Sequence, residues 1–262
     1  MKRIGLIGYG FIGSQVYRRI RERPGLGLEV AFVHNRSRER MEDVQPRHAL
    51  DRIEDFASRA PDLVVEMAHP EYTRRHGEAI LQRADYLPLS VTALADDALR
   101  ERLVATARKH GHRLLLPHGA LVGCDSLTEW RDMWERVEIT FRKHPRNIDF
   151  SESGFDPGSI TDETVIYDGP VRGIASLFPR NVNTMVTCAL ATVGLDRCRA
   201  RLVAAPTLRV AIAEVLAVGR DGSPLHSRKE QPVAGVSGTE MFESQFHSIL
   251  KAAGVGDAFD FV

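Results

Sequence analysis

Residues 3–13 read Arg3-Ile4-Gly5-Leu6-Ile7-Gly8-Tyr9-Gly10-Phe11-Ile12-Gly13. A short apolar run ends in G-x-G-x-x-G, and an amphipathic stretch over 11–23 follows at once. Strand, glycine turn and helix in that order are the context the motif needs. The first glycine permits the tight turn, the second lets a pyrophosphate approach the backbone, and the third lets helix and strand pack closely. The N–H groups at the helix start then face the anion. This stretch predicts the opening unit of a Rossmann domain that binds a nicotinamide dinucleotide.

Outward from it, short apolar runs at 28–34, 63–67, 86–90 and 113–116 read as further strands. Helical patterns lie between them at 71–83 and 96–110, with Asp96 or Asp97 as cap and Gly111 as stop. Alternation of this kind predicts a parallel sheet with crossover helices. Beyond residue 120 the pattern changes. A helix over 121–136 carries Trp130 and Trp134 on one face, read as core or interface aromatics. Strands follow at 137–142, 163–167, 201–205 and 210–218, with helices at 183–193 and 239–253. The expected fold is α/β, with a Rossmann dinucleotide-binding domain over 1–120. A second α+β domain with a mostly antiparallel sheet covers 121–262, its last helix free to pack back on the first domain.

Lysine plus arginine and aspartate plus glutamate number 35 each, so the net charge is zero. That balance makes no case for nucleic acid or a lipid surface as partner. No apolar run approaches the ~20 residues of a membrane span. The basic pair Lys2-Arg3 precedes an apolar run that breaks at once into Gly8-Tyr9-Gly10, unlike a signal peptide. Cys124, Cys188 and Cys198 are odd in number and lack metal spacing. Buried thiols in a reducing cytoplasm are expected, with no metal site.

The cofactor's identity is read at the end of the second strand, where an acidic residue would bond the ribose hydroxyls of NAD. The chain has His34-Asn35-Arg36-Ser37-Arg38 instead. No carboxylate repels a 2′-phosphate, and Arg36, Ser37 and Arg38 are donors to one. NADP(H) is therefore the expected cofactor, with NAD(H) also allowed. A ligand in such a sheet lies beyond the carboxyl ends of the strands. Ala68-His69-Pro70, Val91-Thr92-Ala93-Leu94 and Pro117-His118-Gly119-Ala120 occupy those ends. The expected cofactor contacts are Gly8, Gly10, Phe11, Ile12, Gly13, Asn35, Arg36, Ser37, Arg38, Ala68, His69 and Thr92. His118 and then His69 are the acid–base candidates, since imidazole carries a proton near neutral pH. The competing reading of each is a loop histidine bonded to backbone. Cys124 reads as a buried thiol rather than a nucleophile.

Several segments together resemble the L-aspartate dehydrogenase family, especially its animal-type branch. They are the turn at 7–13, Asp62-Leu63-Val64-Val65-Glu66-Met67-Ala68-His69-Pro70, Gly119-Ala120-Leu121-Val122-Gly123, and Phe178-Pro179-Arg180-Asn181-Val182-Asn183. The resemblance implies reversible NAD(P)-dependent deamination of L-aspartate by a homodimer, with Ala120 and Asn183 touching the cofactor. Sugar and biliverdin-type oxidoreductases usually place Glu-Lys-Pro after the fifth strand, where this chain reads Ser90-Val91-Thr92-Ala93-Leu94. One departure bears on catalysis. By ungapped alignment from Ala204-Ala205-Pro206, the family's catalytic histidine falls on Ala213 and its asparagine on Ala211. The later Asn-Pro-Lys-Thr-Ser segment becomes Gly235-Val236-Ser237-Gly238-Thr239. A methyl group moves no proton, so three readings stand. Another group acts, His118 first, with Glu214 a weak base; or the substrate is a different small amino or keto acid; or the protein binds NADP(H) without catalysis.

Overall fold

Short apolar runs and amphipathic stretches alternate through the first part of the chain, and all but the run at 113–116 form the expected element. The computed structural model describes residues 1–234, 237–238 and 241–255. They divide into two units, 1–117 with the described part of 242–262, and 118–241.

The first unit runs β1 (Lys2–Ile7), α1 (Phe11–Glu22), β2 (Leu28–His34), β3 (Leu63–Glu66), α2 (Pro70–Leu81), β4 (Asp85–Pro88) and α3 (Asp97–His110). All pairings are parallel in the order β2-β1-β3-β4. The four residues of β3 are all buried, as a strand covered on both faces requires. The sheet order reverses between β1 and β3, which opens a crevice beyond their carboxyl ends. Asp96 caps α3 by accepting from the Leu99 N–H at 3.0 Å, and Gly111 ends it at φ 72°. Between β2 and β3 the chain forms short 3-10 turns at Arg38–Met41 and Ile53–Arg59. The expected strand at 113–116 shrinks to one bridge, Leu114 beside Tyr86. Pro117 follows directly and has no N–H to extend the ladder.

The second unit contains α4 (Cys124–Glu129), β5 (Trp134–Lys143), β6 (Thr164–Pro170), α5 (Val171–Leu177), α6 (Asn183–Ala191), β7 (Arg199–Ala204), β8 (Ala211–Gly219) and β9 (Pro224–Gln231). Its sheet has the order β6-β7-β5-β8-β9, antiparallel except for β5 with β7. Helix α6 is buried almost all round. The helix expected over 121–136 is a correction. It stops at Glu129, and Trp134 already opens β5. The β-branched residues Val137, Ile139 and Thr140 favour the strand that takes over. The two tryptophans still meet, ring centroids 5.8 Å apart, and the Trp134 Nε1–H donates to the Leu127 carbonyl at 2.9 Å. The short helix α5 and the strand β9 were not anticipated.

The last helix, α7 (Met241–Ala253), falls in the first unit except for its opening residue. Phe242, Phe246, Ile249 and Ala253 share one face and join Ile4, Val16, Ile20 and Val30 in the core. Arg19 forks onto Glu243 at 2.6 and 2.9 Å, with its guanidinium 4.4 Å above the Phe242 ring. Residues 239–240 of the expected helix lie outside the described residues.

Two glycines of the turn divide the structural load. A Cβ on Gly13 would stand 2.1 Å from the Gly8 carbonyl oxygen, whereas one on Gly10 meets nothing within 4 Å. Gly13→Ala is expected to cost about 1–3 kcal/mol by overpacking, seen as a lower Tm. Gly10→Ala should leave Tm unchanged.

Candidate functional site

Gly8 turns at φ 98°, and a Cβ there would stand 2.7 Å from the Met67 carbonyl oxygen. Its N–H donates to the His34 carbonyl at 2.8 Å, and the Tyr9 N–H donates to Asn35 Oδ1 at 3.0 Å. Asn35 Nδ2 in turn reaches the Ser37 carbonyl at 2.8 Å. Asn35 is thus a strut between the ends of β1 and β2. The Tyr9 hydroxyl donates to Asp43 at 2.8 Å, and burial first, then this bond, holds it above the usual phenol range. Helix α1 begins at Gly10 without a side-chain cap or an acidic first turn. Its first N–H groups are left to an anion. Phe11 is exposed and Ile12 half-buried beside them.

Beyond β2 the two arginines have different fates. Arg38 is paired with Asp51. Arg36 is exposed and has no ion pair among the described residues. It lines a cavity with His34, Ile53, Tyr72, Arg75 and His76. The Tyr72 ring lies 6.0 Å from His34 and 5.9 Å from His76. Burial lowers His76 from the ordinary imidazole range. Arg75 is held by Glu71 at 2.7 Å.

The histidine and threonine candidates are occupied structurally. His69 caps α2, its Nδ1 accepting from the Glu71 N–H at 3.2 Å. Thr92 is buried within the 3-10 turn Val91–Ala95, and Ala68 is exposed. His118, in the second unit, has Nδ1 3.3 Å from the Gly119 carbonyl oxygen. Cys124 is half-buried, and burial pushes its thiol up, away from nucleophilic use. Among the described residues no group of three or more His, Cys, Asp or Glu could hold a metal ion.

The second unit has its own cavity. Ala120, Asn183, Phe141, Lys143, Arg180 and Gln231 line it, together with Ala211 and Ala213 of β8. Register explains the grouping. Phe141 lies opposite Ala213, and Ala211 lies opposite Gln231, so these side chains share one face of the sheet. Lys143 is two residues beyond Phe141, hence on the same face, and is 8% exposed. The motif at 178–183 supports the rim. Phe178 is buried, and Asn181 accepts from the Asp149 N–H at 2.9 Å while donating to the Asn147 carbonyl at 3.2 Å. Arg180 reaches Asp149 at 2.9 Å. No histidine lines this cavity among the described residues.

Comparison with known proteins matches each unit separately. Residues 8–117 fit the model described as homoserine dehydrogenase, NAD binding domain, and residues 127–237 fit aspartate dehydrogenase, C-terminal. The chain is 36% identical to an aspartate dehydrogenase domain-containing protein of Xenopus tropicalis, over 97% of its own length and 95% of the relative's. The chain belongs to the aspartate dehydrogenase family. It is also 30% identical to the L-aspartate dehydrogenase of Methanosarcina acetivorans, over 85% of each chain. The crystal structure of aspartate dehydrogenase from Thermotoga maritima covers the whole chain with a TM-score of 0.76 at 24% identity. That likeness shows the fold, a Rossmann-type NAD-binding domain followed by a mostly antiparallel α+β domain.

In this member of the aspartate dehydrogenase family, Glu66 organises the carboxyl edge of the first unit, and sequence reasoning missed it. The residue is wholly buried at the end of β3. Its Oε1 accepts from the Ala68 and His69 N–H groups, both at 2.7 Å, and from the Ser90 hydroxyl at 2.9 Å. Its Oε2 accepts from the Ser90 N–H at 3.1 Å. The loops after β3 and β4 are thereby tied to one carboxyl group. Burial raises its pKa, outweighing the lowering by these donors. A raised carboxyl pKa means the folded state holds a proton that the unfolded state has released. That stabilising contribution is complete below the ordinary carboxylate range and is lost as pH rises through the folded value. Urea midpoints measured against pH should show this fall, and Glu66→Gln should remove its part of the slope. Glu66→Ala, which leaves buried donors unpaired, should cost on the order of 3 kcal/mol.

Proposed function

We propose that this chain is an NADP(H)-preferring dehydrogenase that interconverts a small amino acid of the L-aspartate type with its imino and keto acid. The observation that carries the reading is the cavity of the second unit. Lys143 and Arg180 line it, and no acidic side chain does so among the described residues. A basic, partly apolar cavity suits a small anion with carboxylates at its ends. The names of the relatives agree with that chemistry.

The residues of the first unit fit the cofactor. The space beyond Gly10, the uncapped start of α1 and the φ 98° turn at Gly8 form a cradle for a pyrophosphate. The nicotinamide, when bound, supplies the two-electron acceptor and donor. Gly8, Gly10, Phe11, Ile12 and Gly13 would hold the phosphates, with Asn35 bracing the turn. Arg36, with Ser37 beside it, would take the 2′-phosphate, because Arg38 is already engaged by Asp51. Ala68, His69 and Thr92 in the first unit, and Ala120 and Asn183 in the second, complete the proposed set of contacts. Homodimeric assembly rests on the family resemblance, and a cytoplasmic setting on the three free thiols.

The reaction takes L-aspartate and water to oxaloacetate and ammonia, two electrons passing to the oxidised cofactor. Acid–base work is the open element of the reading. By alignment the family's histidine position is Ala213, which lines the cavity with only a methyl group. His118 is the proposed substitute, with His69 behind it. The same methyl group favours a second reading, an NADP(H)-binding protein without turnover.

Two measurements separate these readings. Purified protein given L-aspartate with NADP⁺, or oxaloacetate and ammonia with NADPH, should turn over in both directions. NADPH binding without any turnover supports the second reading. If the alignment holds, Ala213→His should raise kcat by on the order of 10²-fold, the lower end of general acid–base contributions. Arg36→Ala should weaken NADPH binding about tenfold, the scale of a lost charged hydrogen bond, with little effect on NADH. Equal losses for both cofactors would remove Arg36 from 2′-phosphate recognition.

A further inference from the structure

One residue lining the cavity of the second unit carries an unpartnered acceptor among the described residues. Gln231 lines it, and Gln231 Oε1 is buried with no hydrogen-bond partner among the described residues. Buried carbonyl oxygens are paired in nearly all folded proteins, and an exception calls for a ligand or water. The position follows from register. Gln231 ends β9 directly opposite Ala211, and Ala213 lies two residues along on the same face. Two methyl groups and one longer side chain from the neighbouring strand thus line the same cavity. The other two amides of the cavity, Asn181 and Asn183, both have partners, Asn181 Oδ1 accepting from the Asp149 N–H. Lys143 lines the same cavity, with Arg180 at its rim held at 2.9 Å by Asp149.

We infer that Gln231 is a specificity-determining residue, its amide oxygen accepting an N–H from the amino or imino nitrogen of a bound dicarboxylate. Lys143 and Arg180 pair with the carboxylates and are indifferent to that nitrogen. The cavity therefore separates amino dicarboxylates from dicarboxylates of the same length without nitrogen. This inference rests on the substrate class proposed above, but it concerns binding and does not require turnover.

The test compares L-aspartate with succinate, which differs only in lacking the amino group. Their affinities are measured by calorimetry on the full chain, with turnover assayed in parallel. The wild type should bind L-aspartate at least about tenfold more tightly, the scale of a hydrogen bond to a charged donor. Gln231→Leu should bring the ratio close to one, with succinate binding retained. Gln231→Glu keeps an acceptor and should keep the preference, while both affinities fall because its charge opposes the carboxylates. Thermal melts establish that each variant is folded. A folded Gln231→Leu protein with the wild-type ratio overturns the inference, as does a wild type that binds the two ligands equally or binds neither. Absent turnover with the binding preference intact overturns the dehydrogenase reading alone.

Discussion

The carboxyl edge of the first sheet depends on one side chain sealed from water. Glu66 holds the loop after β3 through two backbone N–H groups and the loop after β4 through Ser90. The loop it holds contains Met67 and Ala68, and these residues lie where a side chain on Gly8 would have to go. The glycine turn is therefore shaped from two sides. Asn35 and His34 fix it toward β2, and the Glu66-bound loop closes it toward β3. An anion site made of backbone N–H groups needs such bracing, because its donors have no side-chain freedom with which to adjust.

This arrangement marks how far the sequence could be read. The glycine turn, the capped helices and the parallel strands were legible because each rests on local signals: periodicity, caps and stops. Glu66 was not, since a carboxylate at a strand end looks like any exposed acid until burial is known. Asn35 sits where a cofactor contact is expected, and its amide also braces the turn. Trp130 and Trp134 show where a local signal misleads. Their spacing satisfies a helix, and the contact exists, but a turn and a strand start bring it about. Lys143 and Gln231 escaped notice because strand pairing, invisible in one sequence, places them beside Ala213 and Ala211.

The segment Phe178-Pro179-Arg180-Asn181-Val182-Asn183 was the most specific sign of family, and its conformation gives it a physical sense. Phe178 anchors it in the core, and Asn181 ties it to the backbone at 147 and 149. The fixed backbone then places Arg180 at the cavity rim and starts α6 at Asn183. Arg180 and Asn183 are the members that face the cavity. Phe178 and Asn181 are structural, so a match there reports the shape of the cavity more directly than any reaction performed in it.

The two units carry different kinds of constraint. In the first, a Cβ at Gly8 or Gly13 collides with backbone oxygen, so the turn tolerates almost no change in those residues. In the second, Phe141, Lys143, Ala211, Ala213 and Gln231 face the cavity from strands whose hydrogen bonds do not depend on what those side chains are. The methyl group of Ala213 is compatible with the pairing to Phe141 and Lys229, and that pairing does not depend on it. Chemistry there can be lost, moved to a neighbouring strand or redirected without disturbing the sheet. The glycine turn and the side chains of the cavity are therefore separable in this fold, the first fixed by backbone collisions and the second free to vary on an unchanged sheet.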